Sequence, residues 1–477
     1  MTNPREIQYP NKHIAPERVF NADLLKVVTS NITSWRQSPG AFGRLHLHAC
    51  WTQASVLMRR YQGQTISRNR CFLGGVIELW RYSGDVRWRL LAGDIVSNIL
   101  YLQVPSGGFF HASSEHEPMY TQENSCPIHQ SMPVLTLLEY ASWGGADPMR
   151  VAQIKPAIDR WWLWFGKFWW KRGNGWKEPL VKPGYCGVTN QDLVTVAALA
   201  KYAAVYGDAS LFENYGLPVL DAYLQEDYYY RALGLFERGD NENFTERTSY
   251  YEIILDMLDV IYRDTRDERL VEVADNIVRH LFDALDYGSD GMLHLAWGAS
   301  LDSKDKSKVV AWQRFPHALS SYPELLRHMQ RYLGKHPDAE LNEKCGALEQ
   351  TLAAYTFANG AIPISMGSDP LFTVVGHSNA LWRFLIDRLA GQASLNADVL
   401  TAPVMPTIRR VCGEVEWREN VRMWSIHRGG RREFAGLKCN PSAIAIGAEE
   451  VLPNVDLSPL NEVEFEERVS PLMEGKI

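Results

Sequence analysis

Acidic, aromatic and cationic residues concentrate in the polar stretches between apolar segments of this 477-residue chain. Asp192, Glu117, Glu123 and Glu246 are the carboxylates best placed to give and take protons, because paired carboxyl groups facing one bond can act as acid and base. Around them stand His111, His129, Trp176, Tyr185, Asn190, Arg247, Trp312, Arg314 and His377. Aromatic faces of this kind stack on the apolar faces of sugar rings, while Arg, His and Asn side chains bond hydroxyls and carboxylates. A cleft for a small oligosaccharide is the expectation, with the four carboxylates catalytic and the others binding.

The elements that must position these residues are helices. In GVTNQDLVTVAALAKYAAVYGD, residues 187–208, Leu193, Val196, Ala197, Ala200, Ala203 and Ala204 recur at helical spacing until Gly207-Asp208 breaks the pattern. Related turns recur at Asp85, Asp147, Asp267 and Asp338, so that the aspartates follow one another at 62, 61, 59 and 71 residues. Each unit reads as a helical hairpin that cannot bury both faces alone. The pattern predicts hairpins at 71–82 with 86–102, 128–142 with 148–170, the helix within 187–208 with 211–230, 249–264 with 268–286, and 316–333 with 339–357. A last helix, 376–389, is expected to pair with a helix at 44–61 and close a ring of six, with another helix at 22–36 before it.

Links inside hairpins are short, whereas links between hairpins are long, and in an alternating ring the long ones share one rim. Long polar loops of this kind are disproportionately functional. After Pro403 the pattern changes to short alternating runs such as CGEVEWREN and VRMWSIHR, which read as strands. The expected organisation is a helical body over 1–402 and a strand-rich extension over 403–477 packed on it.

Composition narrows the partners. A formal charge of −7 argues against nucleic acid or an anionic membrane, and nowhere do 18 apolar residues run together. The seven cysteines lack CxxC spacing, so neither a disulfide framework nor a zinc site is expected, and a cytoplasmic location fits. His111, His116 and Glu117, or His46 and His48, could be read as metal ligands, but two residues apart on a helix point to different sides. No metal or other cofactor is expected.

The repeated Gly-Asp turn, the loop asymmetry and SGGFFH at 106–111 together resemble the six-hairpin glycosidase superfamily. That resemblance, over roughly residues 40–390, implies an all-α (α/α)6 toroid, here with a small C-terminal β-rich segment. It implies chemistry at sugars: hydrolysis, phosphorolysis, epimerisation or elimination. TNQDLVTVAALAKYAAVYGD is similar to the inner-helix start of the unsaturated glucuronyl hydrolases, which makes Asp192 the implied acid/base. A glycoside hydrolase acting on a short oligosaccharide, uronates included, is the leading expectation. The alternatives are a lyase using Tyr185 or His111 as base beside Asn190 and Arg314, a sugar epimerase, and a non-catalytic sugar-binding toroid.

Overall fold

The computed structural model describes residues 12–34, 69–109, 126–173, 180–238, 241–313, 319–356, 375–389 and the strands between 408 and 437, apart from a few positions inside these ranges. Its helices, in chain order, are α1 (Pro16–Val19), α2 (Ala22–Ser34), α3 (Asn69–Ser83), α4 (Val86–Tyr101), α5 (Pro127–Ala141), α6 (Pro148–Trp169), α7 (Thr189–Tyr206), α8 (Leu217–Tyr223), α9 (Tyr251–Thr265), α10 (Arg269–Leu281), α11 (Tyr322–Lys335), α12 (Ala339–Tyr355) and α13 (Val375–Leu389).

Their contacts close a double ring. The odd-numbered helices from α3 to α13 pack each on the next, and α13 returns to α3. Outside them, α4, α6, α8, α10 and α12 each lie on the inner helix that precedes them, while α2 lies on α13. This is an (α/α)6 toroid. The sixth outer helix is therefore the segment at 22–34, whereas the helix expected as the partner, 44–61, lies outside the described residues.

Position in the ring explains the patterning. Inner helix α7 is enclosed by neighbours on every side, and Leu193, Val194, Val196, Ala197, Leu199 and Ala200 are all buried. Outer helix α10 has one covered face, so Leu270, Val273, Ile277 and Leu281 are buried while Glu272 and Arg279 are exposed. The recurrent turn also has a physical reading. At two of these turns the Gly takes the left-handed conformation that ends a helix, Gly84 at φ 64° and Gly207 at φ 69°, and at others the Asp caps the next helical segment. Asp147 accepts from Met149 N at 3.0 Å and Asp338 from Leu341 N at 3.0 Å. Where no glycine is available, Arg266 adopts the same conformation at φ 59°.

Some expected boundaries move. The helix foreseen at 211–230 is a π-helical turn, Phe212–Gly216, running into α8 and ending at Tyr223. The stretch foreseen as 268–286 leaves the helix at Leu281, and that foreseen from 316 begins its α-helix at Tyr322. Two of the long loops also carry strands: β1 (Tyr229–Tyr230), β2 (Leu235–Arg238), β3 (Asn241–Thr245), β4 (Leu285–Tyr287), β5 (Leu293–Leu295), β6 (Gly298–Leu301) and β7 (Val309–Gln313). Antiparallel pairing in the order β1-β2-β3-β6-β7 makes a five-stranded sheet, and β4 pairs with β5. The expected C-terminal strands are four: β8 (Ile408–Cys412), β9 (Val415–Glu419), β10 (Met423–Arg428) and β11 (Arg431–Leu437), paired consecutively.

The lumen is blocked partway. Arg70 on α3 reaches Glu139 of α5 at 2.8 Å and also pairs with Asp256 on α9, which stands opposite α3 in the ring. Arg383 of α13 meets Glu324 of α11 at 3.3 Å, and Arg327 meets Asp387 at 2.6 Å. Burial opposes ionisation of Asp256, but the positive charges of Arg70 and Arg383 prevail and hold its carboxyl far below the ordinary range. Arg70 thus forms a floor across the ring, and a molecule entering from the loop side meets a dead end.

The SGGFF turn shows one position where only glycine fits. Gly107 has φ 111°, and a Cβ there would stand 2.3 Å from the carbonyl oxygen of Arg160 on α6. Gly107→Ala is expected to cost at least about 2 kcal/mol, from strain and a backbone clash that no rotamer relieves. A urea unfolding midpoint unchanged from the parent would contradict this.

Candidate active site

Among the described candidates, His129 and Asn190 stand at the N-terminal ends of inner helices α5 and α7, and Glu246 and Arg247 stand just before α9. His129 is buried in the first turn of α5 and Asn190 in the first turn of α7. Beside His129, Gln130 holds the SGGFF loop by accepting from Phe109 N at 2.7 Å and donating to Phe109 O at 2.8 Å. Asn190 is 4 % exposed, and its Oδ1 has no hydrogen-bond donor among the described residues. Such an orphaned acceptor is costly unless something arriving from outside supplies a donor.

Asp192 lies deeper than an acid facing a cleft. It is 0 % exposed, and its carboxylate is filled from within the protein. Oδ1 accepts from Cys186 N at 3.0 Å and Cys186 Sγ at 3.3 Å. Oδ2 accepts from Tyr185 N, Gly187 N and the Tyr223 hydroxyl, each at 3.1 Å. Burial pushes its carboxyl above the ordinary range, against the pull of the Cys186 and Tyr185 amides. The side chain gathers the 185–187 loop onto the start of α7. Thr189, three residues earlier, turns away and donates to Glu237 O at 2.9 Å.

Tyr185 is likewise enclosed. It packs against Phe165 and Trp170, its hydroxyl donates to Tyr215 O at 2.9 Å, and burial pushes its phenol well above the ordinary range. A proton-abstracting role has no support in this placement.

Glu246, Arg247 and Trp297 come together where the sheet meets α9. β3 ends at Thr245, Glu246 N donates to Phe236 O at 2.8 Å, and a 3-10 turn over Thr248–Tyr250 leads into the helix. Glu246 is buried, with Oε1 accepting from Arg238 Nη1 at 2.8 Å and from Arg247 N at 3.1 Å. Its neighbours Arg238, Thr245 and Arg247, with Phe244, Trp297 and Gln313, line a pocket of about 340 Å³ that Glu246 itself does not line. The Arg247 guanidinium lies over the Trp297 indole, 4.6 Å from the ring centroid, and its Nη1 donates to the Tyr250 hydroxyl at 3.3 Å. Among the described residues it has no carboxylate partner.

Trp312 sits next to this pocket without lining it. On β7 successive side chains face opposite ways, so Gln313 enters the pocket while Trp312 packs against the core. His377 belongs to the first turn of α13. Glu117, Glu123, His111, Trp176 and Arg314 lie outside the described residues. Two contributors escaped the sequence reading. Arg238 lies in a strand hidden inside a presumed loop, and Tyr250 looks like one more apolar position of α9. Among the described residues no cluster of His, Cys, Asp and Glu could hold a metal ion, and no helix is long and apolar enough to cross a membrane.

No protein-family model matches the chain, and no curated protein matches it. Solved structures similar to it include an unsaturated glucuronyl hydrolase specific for heparin, 11% identical over 79% of this chain and 100% of that one, with a TM-score of 0.47. A possible GH105-family member from Salmonella enterica serovar Paratyphi A is 14% identical over 82% and 99%, with a TM-score of 0.46. A polysaccharide lyase is 12% identical over 77% and 98%, with a TM-score of 0.46. The toroid itself is assigned from the closed ring of contacts described above.

Proposed function

We propose that the chain is a glycoside hydrolase acting on a short, uronate-containing oligosaccharide in the pocket at the mouth of the ring. The observation that carries this reading is Arg247, a guanidinium placed over the Trp297 ring, lining a pocket and lacking a carboxylate partner among the described residues. A planar fork of this kind receives a carboxylate through two parallel hydrogen bonds. Glu246 is the catalytic carboxylate nearest to hand. In the unliganded site Arg238 covers it, and an incoming uronate that pairs with Arg247 competes for Arg238 and bares Glu246 as the substrate settles. Glu117 or Glu123 supplies the second acid, since hydrolysis needs carboxyl groups on both sides of the scissile bond. Asp192 positions the loop over α7, and the Asn190 Oδ1 takes a sugar hydroxyl. The floor at Arg70 suits removal of units from a chain end, and a cytoplasmic location suits small substrates.

One observation favours a second reading, elimination at the uronate. The Tyr250 hydroxyl accepts from Arg247, and the Arg238 and Arg247 guanidiniums lie 5.8 and 5.5 Å from its ring centroid, a setting that stabilises a phenolate base. A panel of saturated and unsaturated uronate oligosaccharides, followed for reducing ends and ultraviolet absorbance together, separates the two. New reducing ends without an absorbance gain support hydrolysis, whereas an absorbance gain from saturated substrates overturns it in favour of Tyr250 and elimination. Arg247→Met is expected to raise KM for uronate substrates about 30-fold, the worth of a charged hydrogen bond, with kcat little changed. An equal loss on neutral sugars would remove the carboxylate from Arg247.

A further inference from the structure

At the opposite rim, between α9, α10 and α11, lies a second cavity of about 210 Å³. Leu255 and Leu258 from α9 and Leu270 and Val278 from α10 make an apolar wall, α11 contributes His328 and Arg331, and Asp259, Asp275 and Lys335 also line it. Residues three apart on a helix share a face, so the imidazole and the guanidinium address the same volume one turn apart. His328 is 9 % exposed, and its ring makes no hydrogen bond among the described residues. The other charges at the rim are already matched: Asp275 with Lys335 at 3.4 Å and His336 at 3.1 Å, and Asp259 with Arg263 at 3.5 Å. Arg331 has no ion pair among the described residues. The unbalanced charge of the cavity is therefore positive and sits beside an imidazole with unused hydrogen-bonding capacity.

We propose that this cavity is a binding site for a small carboxylate bearing one apolar ring or branched chain, with the carboxylate at Arg331 and His328 and the body against the leucine walls. Size fits the class: a cavity of roughly 150 Å³ holds benzene, which leaves room here for a ring with a short acid arm. Burial first, and then the neighbouring Arg331 charge, push the imidazole down to about 4, so in the empty site it is neutral and able to donate one N–H to an anion. The site shares no lining residue with the sugar pocket.

The test is calorimetry on the full chain with 3-phenylpropionate as the probe. The expected result is saturable binding of one molecule per chain, weakened at least tenfold by Arg331→Met and lost in Ala274→Trp, whose indole would fill the cavity. The neutral 3-phenylpropanamide should bind at least tenfold more weakly, and Arg247→Met at the other rim should leave binding unchanged. Absence of binding at millimolar concentrations overturns the proposal, as does binding that ignores both cavity substitutions. Arg331 is exposed, so its replacement leaves the fold intact.

Discussion

Glu246→Gln is expected to lower kcat on a uronate oligosaccharide about 1,000-fold while leaving the protein folded, the scale on which a positioned proton-transfer group contributes. Glutamine keeps the length and one acceptor oxygen, so the hydrogen bonds from Arg238 Nη1 and Arg247 N can both be retained. What is lost is the carboxylate's charge and its capacity to exchange a proton. If Glu246 served only to hold Arg238, the substitution would act on substrate binding and stability: KM would rise, the unfolding midpoint would fall, and kcat would stay near the parental value. Steady-state kinetics beside a urea titration separates the two outcomes, and a preserved kcat would remove Glu246 from the chemistry.

The toroid was legible because its repeat is chemical as well as periodic. A residue able to adopt the left-handed conformation ends one helix and an Asp caps the next, and Asp147, Asp208, Asp267 and Asp338 each accept from a backbone amide two or three residues on. Closure of the ring was harder to read. It pairs α13 with α2 across more than 300 residues, and nothing in local spacing distinguishes 22–34 from 44–61 as the partner. The strands inside the long loops were hidden for another reason. β1 to β7 are two to five residues long, too short for alternation to stand out, and only the pairing of β3 with β6, distant in the chain, joins their hairpins into one sheet. That miss hid Arg238, which reaches Glu246 only because β2 and β3 are antiparallel neighbours. Asp192 could be recognised as special from its place at the start of an inner helix, but spacing alone gives no sign that the amides before it turn back to claim both its oxygens.

The place of Asp192 leads to the largest stability effect expected in the molecule. Asp192→Ala would strand the amides of Tyr185, Cys186 and Gly187 and the hydroxyl of Tyr223 in a region that water does not reach. Each buried donor left without an acceptor costs about 1–3 kcal/mol, so a loss of about 5 kcal/mol is expected, comparable to the whole stability of a marginal domain. Glycine at 187, φ 76°, shows how far the loop bends to bring these amides together, and without the carboxylate nothing offsets that bend. Asp192→Asn separates this role from acid/base chemistry even if the alanine variant fails to fold. An amide keeps one acceptor oxygen but turns an NH2 toward the remaining donors, so the urea midpoint should fall, by less than for alanine, with turnover of the folded fraction reduced less than tenfold. If instead the asparagine variant is as stable as the parent and loses turnover a thousandfold, Asp192 is the proton-transfer group and the loop-holding role is secondary.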